Sequence, residues 1–108
     1  MEAVHLPQFG LEVDRGRAGA VLRVSGELDL ATVSCLTDGV ARLWQEGTAP
    51  VALDLGRVSF VDWASLVALL ELFRDALIGG HELVVTRSCD ALERLIALVW
   101  ADDAKVGA

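Results

Sequence analysis

The side chains able to do chemistry in this chain are few and scattered. Ser34, Ser59 and Ser65 offer hydroxyls, Asp54 and Asp62 offer carboxylates flanking one short segment, and His5 and His81 are the two histidines. A carboxylate pair can serve as general acid and base, and a hydroxyl beside an imidazole can serve as a nucleophile. Neither arrangement is complete. No Gly-x-Ser-x-Gly elbow presents a serine, and nothing in the spacing brings His81 to one. Asp54 reads as the end of a strand and Asp62 as a helix cap. The histidines and cysteines form no set with ligand spacing, so no metal is expected. No GxGxxG or GxxxxGK[ST] loop is present to cradle a phosphorylated cofactor, and none is expected. The expectation is therefore not an enzyme, and the chemistry left is recognition.

Recognition concentrates at Asp62-Trp63-Ala64-Ser65. There an apolar strand, Val51 to Leu55, runs through a loop into the first turn of a strongly apolar helix. A strand-to-helix junction gathers free backbone N–H groups and a positive partial charge at one exposed point. Such a point suits a phosphate. Asp62 is placed to cap the helix by accepting from the N–H of Ala64 or Ser65, and a contact to a basic group of a partner is compatible with that role. Trp63 falls outside the apolar stripe that begins at Leu66. It is either a packing residue or an exposed anchor for another protein.

The elements that must position this junction follow from periodicity. Phe9 to Asp14 alternates and reads as an edge strand, Arg15 to Gly19 as a turn, and Ala20 to Ser25 as a second strand pairing back on the first. Residues up to about Gln8 read as a tail. Gly26-Glu27-Leu28-Asp29 breaks the strand. Leu30, Val33, Leu36, Val40 and Leu43 then recur at helical spacing as far as Gly47, with Asp29 as the candidate N-cap. Val51 to Leu55 reads as a strand covered on both faces. Leu66, Leu69, Leu70, Phe73 and Leu77 mark the inward face of a second helix that starts at Asp62 or Trp63 and ends at Gly79-Gly80. Glu82 to Thr86 is a fourth strand. A last helix follows Ser88, with Ser88 or Asp90 as its cap and Leu92, Leu95, Ile96 and Val99 inside. The order β-β-α-β-α-β-α predicts an α/β fold, a mixed four-stranded sheet with a layer of helices, whose last three strands run parallel. Trp44 and Trp100 read as packing or rim residues near helix ends.

The whole chain sets limits on partners. With 108 residues, 54% of them apolar, it suits a single domain over 1–108 with a core from about 9 to 100. A net charge of −7, one lysine (Lys105) and scattered arginines argue against nucleic acid and leave basic protein surfaces as partners. No apolar run approaches the roughly 18 residues of a membrane span, so no direct membrane insertion is expected. The N-terminal residues show no basic-then-apolar leader. Cys35 and Cys89 lie far apart without a CxxC motif and read as buried free thiols in a reducing cytoplasm. The high apolar share allows a homodimer.

Three segments together resemble the STAS domain of bacterial anti-sigma factor antagonists. Val24-Ser25-Gly26-Glu27-Leu28-Asp29 is similar to the family's Gly-Glu-Leu-Asp at the end of its second strand. Leu53-Asp54-Leu55-Gly56-Arg57-Val58-Ser59-Phe60-Val61-Asp62 is similar to its strand-loop pattern DLSxVxFxD. Gly79-Gly80-His81-Glu82-Leu83-Val84-Val85, with the helix containing Leu92 and Leu95, is similar to its closing section. The resemblance spans about Phe9 to Trp100.

What the resemblance implies is a cytoplasmic regulatory module that binds a kinase-like anti-sigma factor. A serine or threonine after the aspartate is phosphorylated by that partner, and phosphorylation switches binding. Here Asp62 matches the family aspartate and Leu66 its first buried helix residue. Trp63 stands at the phosphoacceptor position, Ala64 follows it, and Ser65 takes the usual glycine position. The implied partner surface is Asp29, Asp62, Trp63, Ala64 and Ser65, with Ser65 the one nearby hydroxyl for phosphorylation. An accessory subunit of an ABC-type lipid transporter is the alternative that a STAS protein without a phosphoacceptor admits. A small-ligand binder or enzyme needs a pocket of convergent polar groups.

Overall fold

The computed structural model describes residues 2–107, with the side chains of residue 100 and residues 102–107 outside the description. Its elements are β1 (Glu2–Leu6), β2 (Phe9–Gly16), β3 (Gly19–Leu28), α1 (Val33–Gln45), β4 (Val51–Val61), α2 (Trp63–Gly79), β5 (Leu83–Arg87) and α3 (Asp90–Gly107). One mixed sheet carries the strands in chain order, β1-β2-β3-β4-β5. β1, β2 and β3 are antiparallel, whereas β3, β4 and β5 are parallel, as the two helical crossovers require.

Strand parity decides where the core lies. Leu11 and Val13 of β2, Leu22 and Val24 of β3, and Val51, Leu53 and Leu55 of β4 are all buried, while Asp14 and Arg23 of the opposite parity are exposed. The same core takes Leu36, Val40 and Leu43 from α1, Leu66, Leu69 and Leu72 from α2, and Leu92 from α3. All three helices therefore cover one face of the sheet. The expectation that β4 is covered on both faces is corrected by that arrangement.

Four further corrections bear on function. The tail before Gln8 contains a fifth strand. Its five side chains are all exposed, so no apolar alternation betrays it; pairing with β2 and the Arg15–Glu2 ion pair at 2.6 Å hold it in place. β4 does not stop at Leu55 but continues through the supposed loop to Val61. Gly56, Arg57 and Ser59 resemble turn material, yet β3 accepts them by shifting register between Arg23 and Ser25 and again between Gly26 and Glu27. Gly26 makes this possible: its φ is +84°, and a Cβ there would run into the Gln8 carbonyl oxygen.

The third correction concerns α1, which starts at Val33, leaving Leu30 outside the helix and 75% exposed. The fourth concerns α2. Leu66 and Leu69 face the core as expected, but Leu72 and Ala76 complete the buried stripe, and Leu70 and Leu77 are exposed. Gly80 ends α2 in the left-handed conformation, as the glycine pair foretells. Cys35 is half-buried and Cys89 buried; both are free. Among the described residues, no helix is long and apolar enough to cross a membrane.

Candidate functional site

The ends of β3 and β4 run side by side, with Glu27 opposite Phe60 and Leu28 opposite Val61. Beyond them the two chains diverge, one into a turn at Asp29 and the other into α2 at Asp62. The Asp62 N–H donates to the Leu28 carbonyl at 3.1 Å, so the divergence starts from a fixed point.

Asp62 is in extended backbone, φ −87° and ψ 172°, the conformation of an N-cap. Its Oδ1 accepts from the Ser65 N–H at 2.8 Å, and its carbonyl accepts the first helical bond from Leu66 at 3.1 Å. Its Oδ2 accepts from the Leu30 N–H at 3.2 Å. One carboxylate thus caps α2 and ties the β3–α1 turn to it. The Ser65 hydroxyl beside it and the Ser65 and Leu30 N–H groups favour the charged form and hold the carboxyl below its ordinary range, against the opposing effect of burial. The hydroxyl lies close without reaching a well-formed hydrogen bond, so the geometry credits the bond to the backbone N–H.

Asp29 does different work from that expected of it. Its Oδ1 accepts from the N–H groups of Ala31 and Thr32, both at 2.9 Å. Thr32 Oγ1 accepts from the Asp29 N–H at 3.0 Å and donates to the Glu27 carbonyl at 2.8 Å. Asp29 and Thr32 therefore close a turn ahead of α1, and no side chain caps the helix itself at Thr32.

Asp29, Asp62, Trp63, Ala64 and Ser65 are brought to this one corner. Trp63 is 58% exposed, Ala64 is half-buried, and Ser65 is fully buried with its Oγ unpartnered. Sequence reading missed two neighbours, Leu30 and Phe60 (48% exposed). Leu30 looks like a helix residue by spacing and Phe60 like a loop residue. The signal that finds Phe60 is the run Val58-Ser59-Phe60-Val61 continuing the strand. Three large apolar side chains, Leu30, Phe60 and Trp63, thus lie exposed around a knot that also holds Glu27, Asp29 and Asp62. None of these three carboxylates forms an ion pair among the described residues.

The other chemical candidates do not converge. Asp54 accepts from the Gly56 N–H at 3.0 Å within β4, roughly 25 Å from Asp62 along the extended strand. No acid–base couple forms at that distance. His81 stacks on Trp44 with ring centroids 4.5 Å apart, which gives Trp44 the packing role read for it; the Trp100 side chain lies outside the described residues. Ser59 Oγ donates to the Gly26 carbonyl at 3.3 Å. Among the described residues, no cluster of three or more His, Cys, Asp or Glu can hold a metal.

A fold of this topology with its exposed corner at the β4–α2 junction is that of a STAS domain. The family model described as "Mlab, STAS domain" matches residues 11–106, and the chain belongs to the STAS domain family. Two solved structures share the fold. An anti-sigma factor antagonist from Mycobacterium paratuberculosis is 22% identical over 94% of this chain and 86% of its own, with a TM-score of 0.67. The STAS domain of an antisigma-factor antagonist from Rhodobacter sphaeroides is 23% identical over 73% of this chain and 86% of its own, with a TM-score of 0.58.

Proposed function

We propose that this STAS domain is a non-enzymatic regulatory module that binds a kinase-like anti-sigma factor in the cytoplasm through the Asp62–Ser65 junction and the adjoining Asp29 turn. The observation that carries the proposal is Trp63, exposed on a frame that Asp62 fixes from both sides. A large aromatic side chain on a rigid base loses little conformational freedom on binding and makes an effective anchor. Leu30 and Phe60 widen the apolar surface, and Glu27, Asp29 and Asp62 border it with negative charge. A partner surface with apolar contacts and basic groups complements it.

Phosphorylation does not control this corner in the proposed mechanism. Trp63 has no acceptor group, and Ser65 Oγ is buried beneath the first turn of α2. Binding is then constitutive, set by partner concentration. The same buried hydroxyl favours a second reading, an accessory subunit of an ABC-type lipid transporter, which needs docking but no phosphoserine.

Both readings are tested by pull-down from the native host with wild type and Trp63→Ala, followed by incubation with the captured partner and ATP. The expected result is loss of the partner with Trp63→Ala, capture of an anti-sigma factor by wild type, and no phosphate on Ser65 by mass spectrometry. Equal recovery with both proteins removes Trp63 from the interface. Capture of a transporter ATPase selects the second reading.

A further inference from the structure

Leu70, Val85 and Ile96 are 57%, 40% and 36% exposed and belong to three different elements, α2, β5 and α3. All three nevertheless line one cavity of about 380 Å³. Its floor is Leu55 of β4, Leu66 and Leu69 of α2, and Leu92 of α3, all buried. Phe73, half-buried, completes the α2 wall. Ser88 is the one polar residue of the lining, and it is exposed. The charged side chains along these elements, Glu71, Arg74, Arg87, Glu93 and Arg94, are exposed and take no part in the lining. The hollow therefore runs from a rim of exposed apolar side chains down to a buried apolar floor. None of the residues at the Asp62 corner lines it.

We propose that this cavity binds an aliphatic chain of roughly ten to fifteen carbons, entering end-on, with its polar end left at the rim beside the Ser88 hydroxyl. Volume sets the length. A dry cavity of about 150 Å³ lined by Leu, Ile and Phe holds the six carbons of benzene, and about 380 Å³ scales to roughly fifteen. The lining sets the chemistry. A polar or charged group on the floor would meet no partner and would lose its hydration, so the buried part of the ligand must be hydrocarbon. The driving force is the removal of Leu70, Val85 and Ile96 from water together with the chain. Size also excludes a docked helix: at about 10 Å across, less than one turn would fill the cavity. The proposal does not rest on the partner complex described above.

The test is a titration of the full chain with 1-decanol up to about 100 μM, followed by the methyl NMR signals of its leucines. Shifts are expected at Leu55, Leu69 and Leu92 and not at Leu22 or Leu36, with a dissociation constant on the order of 10 μM. 1-Butanol, six methylenes shorter, is expected to bind at least 100-fold more weakly. Val85→Phe and Ile96→Phe place a ring in the cavity from positions exposed enough to leave folding intact, and each is expected to weaken 1-decanol binding roughly tenfold. Ser88→Ala is expected to weaken it about threefold. Absence of leucine shifts overturns the proposal, as do shifts centred on other leucines or an affinity that neither phenylalanine variant alters. An unchanged affinity in Ser88→Ala overturns the placement of the polar end. Sedimentation as a dimer that 1-decanol does not perturb overturns it too, since a second copy would then fill the cavity.

Discussion

Two aspartates precede two helices in this chain, and they do unlike things. Asp62 hands its carboxylate directly to the first turn of α2, through the Ser65 N–H. Asp29 spends its carboxylate on Ala31 and Thr32, closes a turn, and leaves α1 to begin at Val33. Each has the local sequence of an N-cap, so the difference lies in the residues C-terminal to it. After Asp62 the chain continues at once into helix, Trp63 onward. After Asp29 the Thr32 hydroxyl reaches back to the Asp29 N–H and the Glu27 carbonyl, and that closed turn is a good alternative to helix. The consequence is structural: Leu30 stands out in solvent, and Asp62 Oδ2 accepts from its N–H. One aspartate fixes the start of α2, and the other closes the turn that leaves Leu30 exposed.

The comparison breaks most severely at Ser65, the residue that Asp62 caps. Ser65→Glu forces a charge into a fully buried position and is expected to cost about 3 kcal/mol or more, read as a large fall in the urea midpoint. Ser65→Ala removes a hydroxyl that lies beside the Asp62 carboxylate without a well-formed hydrogen bond, and is expected to change stability by less than about 0.5 kcal/mol. A severe loss in the alanine variant would mean that the hydroxyl is bonded.

Asp62→Ala is next, at about 1–2 kcal/mol, since it deletes the cap and the tie to Leu30 together. Its pH dependence has a definite sign. The folded-state carboxyl titrates below its ordinary range, so its stabilisation is full above the unfolded-state value and is lost as pH falls through the folded one. The stability gap between wild type and Asp62→Ala should therefore narrow on acidification below about pH 4. A gap that stays constant down to about pH 2 would show that the cap does not depend on charge.

Asp29→Ala is expected to cost least of the two aspartate changes, about 1 kcal/mol, and to leave the helical circular dichroism of α1 unaltered. Hydrogen exchange should speed up at Ala31 and Thr32 while Val40 stays protected. Loss of protection throughout α1 would instead make Asp29 a true helix cap.

Much of the frame was legible in the sequence, and the failures have identifiable causes. The Phe9–Asp14 and Ala20–Ser25 alternations revealed the hairpin, because one sheet face is wet and the other dry. The Gly79-Gly80 stop and the Asp62 cap held because both are decided within a few residues by backbone chemistry. α2 misled at Leu70 and Leu77. With apolar residues on nearly every side, as in Leu66-Val67-Ala68-Leu69-Leu70, periodicity alone cannot say which of two stripes meets the sheet. β1 escaped notice because it buries no side chain, and the end of β4 because its fit depends on bulges in β3.

Short-range pattern was enough to set the α/β order, the Gly79-Gly80 stop and the Asp62 cap. Packing of the elements was needed to bring Leu30 and Phe60 to the corner that holds Trp63, to seal Ser65 from solvent, and to leave Leu70 and Leu77 of α2 exposed. Those outcomes depend on how β3, β4 and α2 lie against one another, and no spacing along a single segment encodes which side of a helix its neighbours will cover.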